Sequence, residues 1–300
     1  MTDQHKCFES ALAILPPGLR QSFGGLRIDQ REQAEELRLR TGARPGVSIG
    51  GKEVKVGESD VSTSDIAWLL ERAADGSLHS VAEELREGFI TVRGGHRLGL
   101  AGTAVSRDGR ISTLRGISSV SLRIAREHRG CAEELMRRLQ TTGEGFSSTL
   151  LVSPPGVGKT TFLRDMIRIL SESGIRVGVA DERRELAAMT GGIPQFDLGP
   201  CTDVIEGAPK AQAASMLLRT MAPEVLAVDE ITAQKDVEAL EQAVNCGIHV
   251  LATVHGETLT DVIMRPALKE LLSRGNFRYA VFLARGRENR RVFRVERLEL

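Results

Sequence analysis

Residues 153–160 read S-P-P-G-V-G-K-T and combine glycines, a lysine and a threonine at the spacing of a phosphate-binding loop. The glycines let consecutive backbone N–H groups turn inward at the start of a helix, where they form a concave anion site. The lysine of such a loop reaches the β- and γ-phosphates, and the threonine hydroxyl ligates Mg²⁺. We therefore predict that ATP and Mg²⁺ bind here through Ser153, Pro154, Pro155, Gly156, Val157, Gly158, Lys159, Thr160 and Thr161.

The first position of this P-loop segment (residues 153–160) departs from the usual pattern, because Ser153 stands where a glycine is typical. A serine can end a strand without a positive φ, so we expect the loop to keep its shape, stiffened by the two prolines. The alternative is a glycine-rich turn with an exposed lysine. An apolar run precedes the loop and apolar residues at helical spacing follow it, which favours the phosphate site.

An acidic pair, Asp229 and Glu230, follows the apolar run V-L-A-V. In a chain with a P-loop this is the position of the second nucleotide motif, the Walker B motif. Asp229 would hold Mg²⁺ through its water shell, and Glu230 would polarise the water that attacks the γ-phosphate. The alternative for this pair is a solvated turn.

Two further strand ends carry polar residues that could act on a nucleotide. Asp181 and Glu182 follow V-G-V-A, and Glu182 is a candidate for a second water-orienting carboxylate. The alternative for these two acids is a helix N-terminus stabilised by acidic residues in its first turn. Thr253 and His255 end the strand A-T-V-H, where the histidine is a candidate sensor of the γ-phosphate or, alternatively, a structural hydrogen-bonding group.

Arginines are concentrated in two places. Residues 86–126 contain eight arginines and two acids, and Arg97, Arg115 or Arg123 could reach the phosphates of their own or a neighbouring subunit. A solvated face is the alternative for each of them. The last 27 residues contain eight arginines and three acids, which solvated strand faces would explain, although a subunit contact or an anionic surface also fits.

Composition limits the classes of function. The chain has 300 residues, 41% of them hydrophobic, a formal net charge of zero and nine phenylalanines with one tryptophan and one tyrosine. A neutral charge and few aromatic residues give no basis for nucleic-acid binding, and we expect none. The four cysteines show no paired spacing. With no signal-peptide pattern and no apolar run of membrane-spanning length, we expect a cytoplasmic protein with at most peripheral membrane contact.

The pattern of elements predicts two domains: an N-terminal α+β domain over residues 1–140, a linker at 141–147 and an α/β domain at 148–300. Hairpin turns at Gly50-Gly51 and Gly94-Gly95, and capping boxes at Ser62 and Ser80, mark the first domain. The second alternates strands and helices, with a closing hairpin whose turn lies at 286–289. Such alternation indicates a mostly parallel sheet whose strands end at one common edge. The predicted strands are 150–152, 175–180, 225–228 and 250–254.

Several long motifs resemble the stage III sporulation protein AA family of endospore-forming bacteria. They include E-E-L-R-L-R-T-G at 35–42, E-E-L-R-E-G-F-I-T-V-R-G-G-H-R-L-G-L-A-G at 83–102, L-R-G-I-S-S-V-S-L-R-I-A at 114–125, and V-A-D-E-R-R-E-L at 179–186. That family is similar in turn to the motor ATPases of type II and type IV secretion and pilus systems. The resemblance spans about residues 35–285.

The resemblance implies a RecA-like P-loop core, a homohexamer, and a place on the mother-cell side of the channel between mother cell and forespore, tethered by membrane-embedded partners. It maps the family's acidic box onto Asp181 and Glu182, its histidine box onto Thr253 and His255, and an arginine before the Walker B strand onto Arg219. Two departures are visible. Residues 231–234, I-T-A-Q, follow Glu230 where the secretion motors carry an arginine and an acid, and no paired cysteines mark a zinc module.

These observations predict a Mg²⁺-dependent ATPase that powers assembly of, or transport through, a membrane complex. Lys159, Glu182, Glu230 and His255 are the predicted catalytic residues, and Thr160 and Asp229 the predicted metal ligands. Two alternatives stay open: a nucleic-acid-binding P-loop NTPase, since fold does not fix function, and a ring scaffold that binds ATP with little hydrolysis.

Overall fold

The computed structural model describes residues 3–74, 81–107, 109–140, 145–286 and 291–298. The chain divides into two compact units: unit 1 comprises residues 1–126 and 188–195, and unit 2 comprises residues 127–187 and 196–300. The predicted capping box at Ser80, residues 141–144 of the predicted linker and most of the predicted turn at 286–289 lie outside the described residues. No helix in the described part of the chain is both long enough and apolar enough to cross a bilayer.

Unit 1 is built on a six-stranded antiparallel sheet in the order β3-β2-β1-β6-β5-β4. Leu37 and Leu39 lie on one face of β1, and their register partners Leu122 and Val120 on β6 are buried with them. This spacing of two is the expected pattern for a strand with one face against the core. The strands are β1 (Ala34–Arg40), β2 (Gly46–Ile49), β3 (Lys52–Lys55), β4 (Phe89–Val92), β5 (His96–Arg107) and β6 (Arg110–Arg123).

Two helix ends of unit 1 fall at the residues that the sequence signals indicate. The Ser62 hydroxyl accepts from the Asp65 N–H at the start of α4, and Gly88 adopts the left-handed conformation with φ +80° at the end of α5. Phe8 and Leu15 bury completely in the same core as the strand residues. The helices are α1 (Asp3–Ile14), α2 (Pro17–Ser22), α3 (Ile28–Gln33), α4 (Thr63–Ala73) and α5 (Ala82–Glu87).

Unit 2 contains a seven-stranded sheet in the order β13-β12-β7-β11-β10-β8-β9. All neighbouring pairs are parallel except β12 and β13, so the carboxyl ends of six strands share one edge. Strands β7, β8 and β10 are buried along their whole length, as is usual for a parallel sheet covered on both faces. The strands are β7 (Thr149–Ser153), β8 (Val177–Asp181), β9 (Thr202–Glu206), β10 (Val225–Val228), β11 (His249–His255), β12 (Tyr279–Arg285) and β13 (Arg291–Arg297).

Helix α7 directly follows the P-loop segment and is fixed by its apolar face. Phe162, Met166, Ile167 and Leu170 recur at helical spacing and are all buried. On the other side of the helix, the buried Asp165 carboxylate accepts from the backbone N–H groups of residues 130 and 132, which precede α6. The helices of unit 2 are α6 (Glu133–Gln140), α7 (Lys159–Glu172), α8 (Lys210–Thr220), α9 (Gln234–Asn245), α10 (Leu259–Ile263) and α11 (Pro266–Ser273).

Two sequence expectations need correction in unit 2. The alternative interpretation of Asp181 and Glu182 as a helix N-terminus is wrong, because turns and bends follow β8. Strand β9, which pairs with the edge of β8, was not predicted. Its burial is partial along most of its length, so it lacks the apolar run that identified the central strands.

A buried histidine in unit 1 generates a prediction of pH-dependent stability. The His96 side chain is 1% exposed, its Nδ1 accepts from the Ala125 N–H at 3.0 Å, and its Nε2 lies 3.1 Å from the Ser10 hydroxyl. Burial lowers the pKa of His96 to about 4. Because an unfolded histidine has a pKa near 6.5, only the unfolded chain takes up this proton as the pH falls below about 6.5.

We therefore expect unit 1 to lose up to about 3 kcal/mol of unfolding free energy between pH 7 and pH 4 through this group. Urea unfolding followed by the fluorescence of Trp68, which lies on α4 and is the chain's one tryptophan, measures it. His96→Gln should flatten the pH dependence, whereas His249→Gln, at an exposed position of unit 2, should not. An equal pH dependence in native protein and His96→Gln would contradict the assignment.

Candidate nucleotide-binding site

The polar residues predicted to carry chemistry in unit 2 lie at the carboxyl ends of adjacent strands. The strands β7, β11 and β10 stand side by side and end at Ser153, His255 and Val228, directly before Asp229. Ser153 and His255 are register partners. The edge of the sheet thus brings together groups that are separated by about 100 residues of sequence.

The P-loop segment has the backbone that a phosphate-binding loop requires. Gly156 and Gly158 have φ values of +77° and +100°, and α7 begins immediately afterwards at Lys159. Ser153 is fully buried and its hydroxyl donates to the Pro154 carbonyl at 3.0 Å. The left-handed positions are therefore occupied by glycines, while the serine sits at the strand end where it is tolerated.

Lys159 is 7% exposed and lies among the polar groups of this edge. Its Nζ is 3.4 Å from Nδ1 of His255. Burial lowers the pKa of Lys159, and the nearby carboxylates of Asp229 and Glu230 oppose that shift. A buried ammonium group is strongly stabilised by anionic partners, so the position is suited to an incoming phosphate.

Asp229 connects the P-loop helix to the neighbouring strands. Its Oδ2 accepts from the Thr160 hydroxyl at 3.1 Å, and its Oδ1 accepts from the Thr253 hydroxyl at 2.7 Å. Hydroxyl and carboxylate oxygens are the ligands that Mg²⁺ takes from proteins when substrate phosphates and water complete its shell. The donor chemistry of Thr160 and Asp229 thus fits this ion.

Glu230 is held in an unusual backbone conformation and both of its carboxylate oxygens have partners. Its φ is +48°, and its backbone N–H donates to the Thr253 hydroxyl at 2.8 Å. Its Oε1 is 2.9 Å from Nε2 of His255, and its Oε2 is 2.8 Å from the guanidinium of Arg183. Arg183 was missed by the sequence reasoning, although it stands in the same charged run, D-E-R-R-E, that drew attention to Glu182.

The acidic pair after β8 divides into two different environments. Asp181 is buried and accepts from the backbone N–H groups of Glu185, Leu186 and Ala187, each at 2.9 Å. Burial raises the pKa of Asp181 against the effect of these three donors. Glu182 instead pairs with Lys210, a 5% exposed lysine at the start of α8, at 2.5 Å. In the described part of the chain, the partner of Glu182 is thus Lys210 and not a residue of the P-loop segment.

The predicted arginine contacts lie in other places. Arg219 is in the last turn of α8, is exposed, and donates to the Ser215 carbonyl at 3.1 Å. Lys210, which pairs with Glu182, lies at the other end of α8, nine residues or about 13 Å away along the helix axis. The structure therefore does not bring Arg219 to the P-loop segment of the same chain. Arg115 and Arg123 are exposed on β6 of unit 1. Their contact with phosphate stays a prediction.

A sequence profile described as "Sporulation stage III, protein AA" matches residues 5–296. The chain is 36% identical over 264 residues to "Stage III sporulation protein AA" of Bacillus subtilis (strain 168), covering 86% of this chain and 85% of that protein. Weaker similarity, 26% over 267 residues, extends to "Protein SEEDLING PLASTID DEVELOPMENT 1" of Arabidopsis thaliana, over 88% of this chain and 36% of that protein.

Solved structures identify the fold. The pilus retraction motor PilT with bound ADP matches with a TM-score of 0.61 at 18% identity, over 90% of this chain and 82% of that chain. The ATPase DotB of Legionella pneumophila matches with a TM-score of 0.55 at 17% identity, over 88% and 76%. These similarities confirm the predicted α/β class with a RecA-like P-loop core.

The Thr253 hydroxyl generates a prediction about the stability of this edge. It donates to Asp229 and accepts from the Glu230 N–H, and Thr253 is fully buried. Thr253→Val keeps the shape but leaves both partners unsatisfied, which we expect to lower the unfolding free energy of unit 2 by about 2 kcal/mol. Urea denaturation followed by circular dichroism measures the loss.

Thr253→Ser is the matched control, because it keeps the hydroxyl and removes only a methyl group. We expect the serine variant to lose about 1 kcal/mol. If serine destabilised the chain as much as valine, the packing of the methyl group and not the hydroxyl would be the important contact.

Proposed function

The chain belongs to the stage III sporulation protein AA family, and from that premise we propose that it is a Mg²⁺-dependent ATPase of the secretion-motor type. In this proposal it forms a homohexamer at the cytoplasmic, mother-cell side of the membrane. There it binds membrane-embedded partners and drives assembly of, or transport through, the channel between mother cell and forespore. The observation that carries the ATPase part is the cluster of Lys159, Asp229, Glu230 and His255 at one edge of the unit 2 sheet.

The P-loop segment binds the phosphates of ATP through its inward N–H groups, and Lys159 pairs with the β- and γ-phosphates. Thr160 and Asp229 would hold Mg²⁺, which would supply positive charge to offset the charge that develops on the phosphates. Thr161, at the third position of α7, would contact the α-phosphate. The hydrogen bond between Thr160 and Asp229 supports this division of roles, since it already brings the two oxygens within 3.1 Å of each other.

Glu230 orients the attacking water, and its partners give it a resting position. With both oxygens engaged by His255 and Arg183, the carboxylate has to release one partner before it can accept a proton from water. Lys159 donates to Nδ1 of the same histidine whose Nε2 contacts Glu230. A γ-phosphate that draws Lys159 away from His255 thus alters the contact that holds Glu230, so the histidine reports phosphate occupancy to the water-orienting group.

Glu182 takes a supporting role in this proposal. Its pairing with Lys210 keeps a second carboxylate at the same end of the sheet. Arg115, Arg123 and Arg219 would act on the nucleotide bound by a neighbouring subunit, where always-charged guanidinium groups stabilise the charge of the transition state. Their exposure on the described units supports this proposal.

The test is steady-state ATP hydrolysis together with ATP binding, measured on the native chain over a range of protein concentrations. We expect turnover per chain to rise with concentration and to require Mg²⁺. Lys159→Ala should lose both binding and hydrolysis. Glu230→Gln should keep ATP affinity within about threefold and lower kcat by at least about 100-fold, since only the water-orienting charge is removed.

Lys235→Ala and Glu238→Gln are matched controls. They remove the same charges as the two test substitutions, but at positions that are exposed on α9. Both should leave kcat unchanged. Strong stimulation of the native enzyme by DNA would instead favour a nucleic-acid motor. Hydrolysis that is negligible in the native protein at every concentration, with intact ATP binding, would favour the ring scaffold.

A further inference from the structure

Arg183 follows β8 at the carboxyl edge of the unit 2 sheet and contacts the residue that orients water in the proposed reaction. Its guanidinium is 2.8 Å from Oε2 of Glu230. The arginine side chain is exposed, whereas that of Glu230 is largely buried. Holding Glu230 at rest accounts for this contact only until the carboxylate is released, and an always-charged group then remains beside the reacting phosphate.

We propose that Arg183 is a catalytic residue that leaves Glu230 for the γ-phosphate of ATP bound to the same chain. There its guanidinium stabilises the negative charge that develops during phosphoryl transfer, a role that an arginine of the same chain has in some NTPases. This inference rests on the proposed function. It adds a group within the subunit to the arginines proposed to act from a neighbouring one.

The step that Arg183 assists is the hydrolysis of the terminal phosphate. The oxygen of water bonds to the γ-phosphorus, the bond from that phosphorus to the β–γ bridging oxygen breaks, and ADP leaves with the electron pair. Glu230 accepts the proton of the water. Arg183 forms no covalent bond and transfers no proton, so its contribution is electrostatic.

The loop that carries Arg183 is fixed by the residues on either side of it. Asp181 accepts from three backbone N–H groups further along the loop, and the Glu182 carboxylate pairs with the start of α8. Arg184 packs against Gly207, where a Cβ would lie 2.7 Å from its Nη2. Because these neighbours are anchored, the backbone of Arg183 stays in place while its exposed side chain changes partner.

The contact with Glu230 places Arg183 within reach of the reacting phosphate. A carboxylate that activates water lies roughly 3 Å from it, and the water and the phosphorus are about 3–3.5 Å apart before they react. The guanidinium is 2.8 Å from this same carboxylate. Rotation about the several torsions of the arginine side chain covers the remaining distance without a movement of the backbone.

A γ-phosphate is the stronger partner for this guanidinium. It has more negative charge than a carboxylate, and it presents several oxygens to which the planar fork of an arginine can donate. The Glu230 oxygen that Arg183 leaves becomes available to the attacking water. ADP lacks the γ-phosphate, so it leaves the pair of Arg183 and Glu230 intact.

Arg183 and Lys159 are the two cationic ends of one row of contacts. The row runs from Arg183 to Glu230, from Glu230 to Nε2 of His255, and from Nδ1 of His255 to Nζ of Lys159. A phosphate that attracts both cations therefore opens the row at both ends. Of the two, Arg183 is the one that contacts Glu230 directly, so its change of partner frees the carboxylate in a single step.

The kinetics of Arg183→Ala distinguish this role from a purely resting one. If Arg183 only held Glu230, its removal would free the carboxylate, and kcat would stay the same or rise. We instead expect kcat to fall at least about 100-fold, with the affinity for ATP within about threefold of the native value. Arg183→Lys keeps the charge without the planar fork and should lower kcat by only about tenfold.

Binding of ADP with aluminium fluoride, a mimic of the phosphoryl group in transfer, gives a readout that does not require water activation. Comparing Glu230→Gln with the double variant Glu230→Gln and Arg183→Ala shows whether the arginine acts on the phosphate or through the carboxylate. We expect the double variant to bind this complex at least tenfold more weakly. Equal affinities would overturn the inference, since Arg183 would then act through Glu230 alone.

Arg176→Ala is the matched control. Arg176 directly precedes β8 at the opposite end of the strand, pairs with Glu224, and has 59% of its side chain exposed, against 56% for Arg183. This variant should leave kcat and both affinities unchanged. Thermal unfolding shows whether each variant remains folded, and Arg183→Lys provides the test if the alanine variant does not.

The outcomes separate this inference from the proposed function. A kcat in Arg183→Ala that equals or exceeds that of an active native chain would overturn the role of Arg183 and leave the ATPase intact. A loss of ATP affinity as large as the loss of kcat/KM would also overturn it, because the arginine would then contribute to binding alone. A native chain that neither hydrolyses ATP nor binds ADP with aluminium fluoride would overturn the proposed ATPase itself.

Discussion

The carboxylate of Asp229 is the contact on which the rest of the site depends. It follows β10, accepts from a hydroxyl at the start of α7, and accepts from a second hydroxyl on β11, so three elements meet at one side chain. Hydroxyl groups satisfy the hydrogen-bonding capacity of a carboxylate but contribute no opposite charge. The geometry therefore favours a cation next to Asp229. Lys159 supplies one positive charge from the P-loop side, and Mg²⁺ would supply another.

The same network holds Glu230 in a conformation that an isolated peptide would avoid. A non-glycine residue with φ near +48° costs on the order of 1–3 kcal/mol. The cost is offset by the hydrogen bond from its N–H to Thr253 and by the contacts of its carboxylate with Arg183 and His255. Because these contacts join charged and polar groups, a nearby phosphate would alter them. A strained residue with exchangeable partners is suited to a switch between resting and reactive positions.

A second group of contacts holds the two places where the chain passes between the units. Residues 188–195 belong to unit 1, and the chain returns to unit 2 at Phe196. Asp181 accepts from three N–H groups of residues 185–187, and the buried guanidinium of Arg164 donates to the carbonyls of residues 185 and 186. The same guanidinium lies 3.6 Å from the ring centre of Phe196. The residues on both sides of segment 188–195 thus contact side chains on α7 and β8. Arg164 is four residues beyond Thr160, so the anchor and the proposed metal ligand Thr160 share one helix.

The sequence predicted those parts of the fold that depend on local spacing. The glycines of the P-loop segment, the apolar face of α7, the Ser62 cap and the runs that became β7, β10 and β11 follow from adjacent residues. Side-chain partners are different, because they depend on which strands become neighbours. The salt bridge between Arg183 and Glu230 requires β8 to lie beside β10, although the two residues are 47 positions apart in the sequence.

The C-terminal hairpin shows most clearly that local sequence does not predict contacts between distant strands. The eight arginines and three acids of the last 27 residues, most of which lie in this hairpin, indicated solvated strand faces, because nothing local distinguishes an arginine that faces water from one that faces a loop. Only the placement of β12 directly beside β7 brings Arg285 to the Gly156 carbonyl, across 129 residues of sequence. The position of β12 beside the P-loop strand therefore brings an ordinary charged hairpin into contact with the P-loop segment. This contact is set by sheet order and not by any motif.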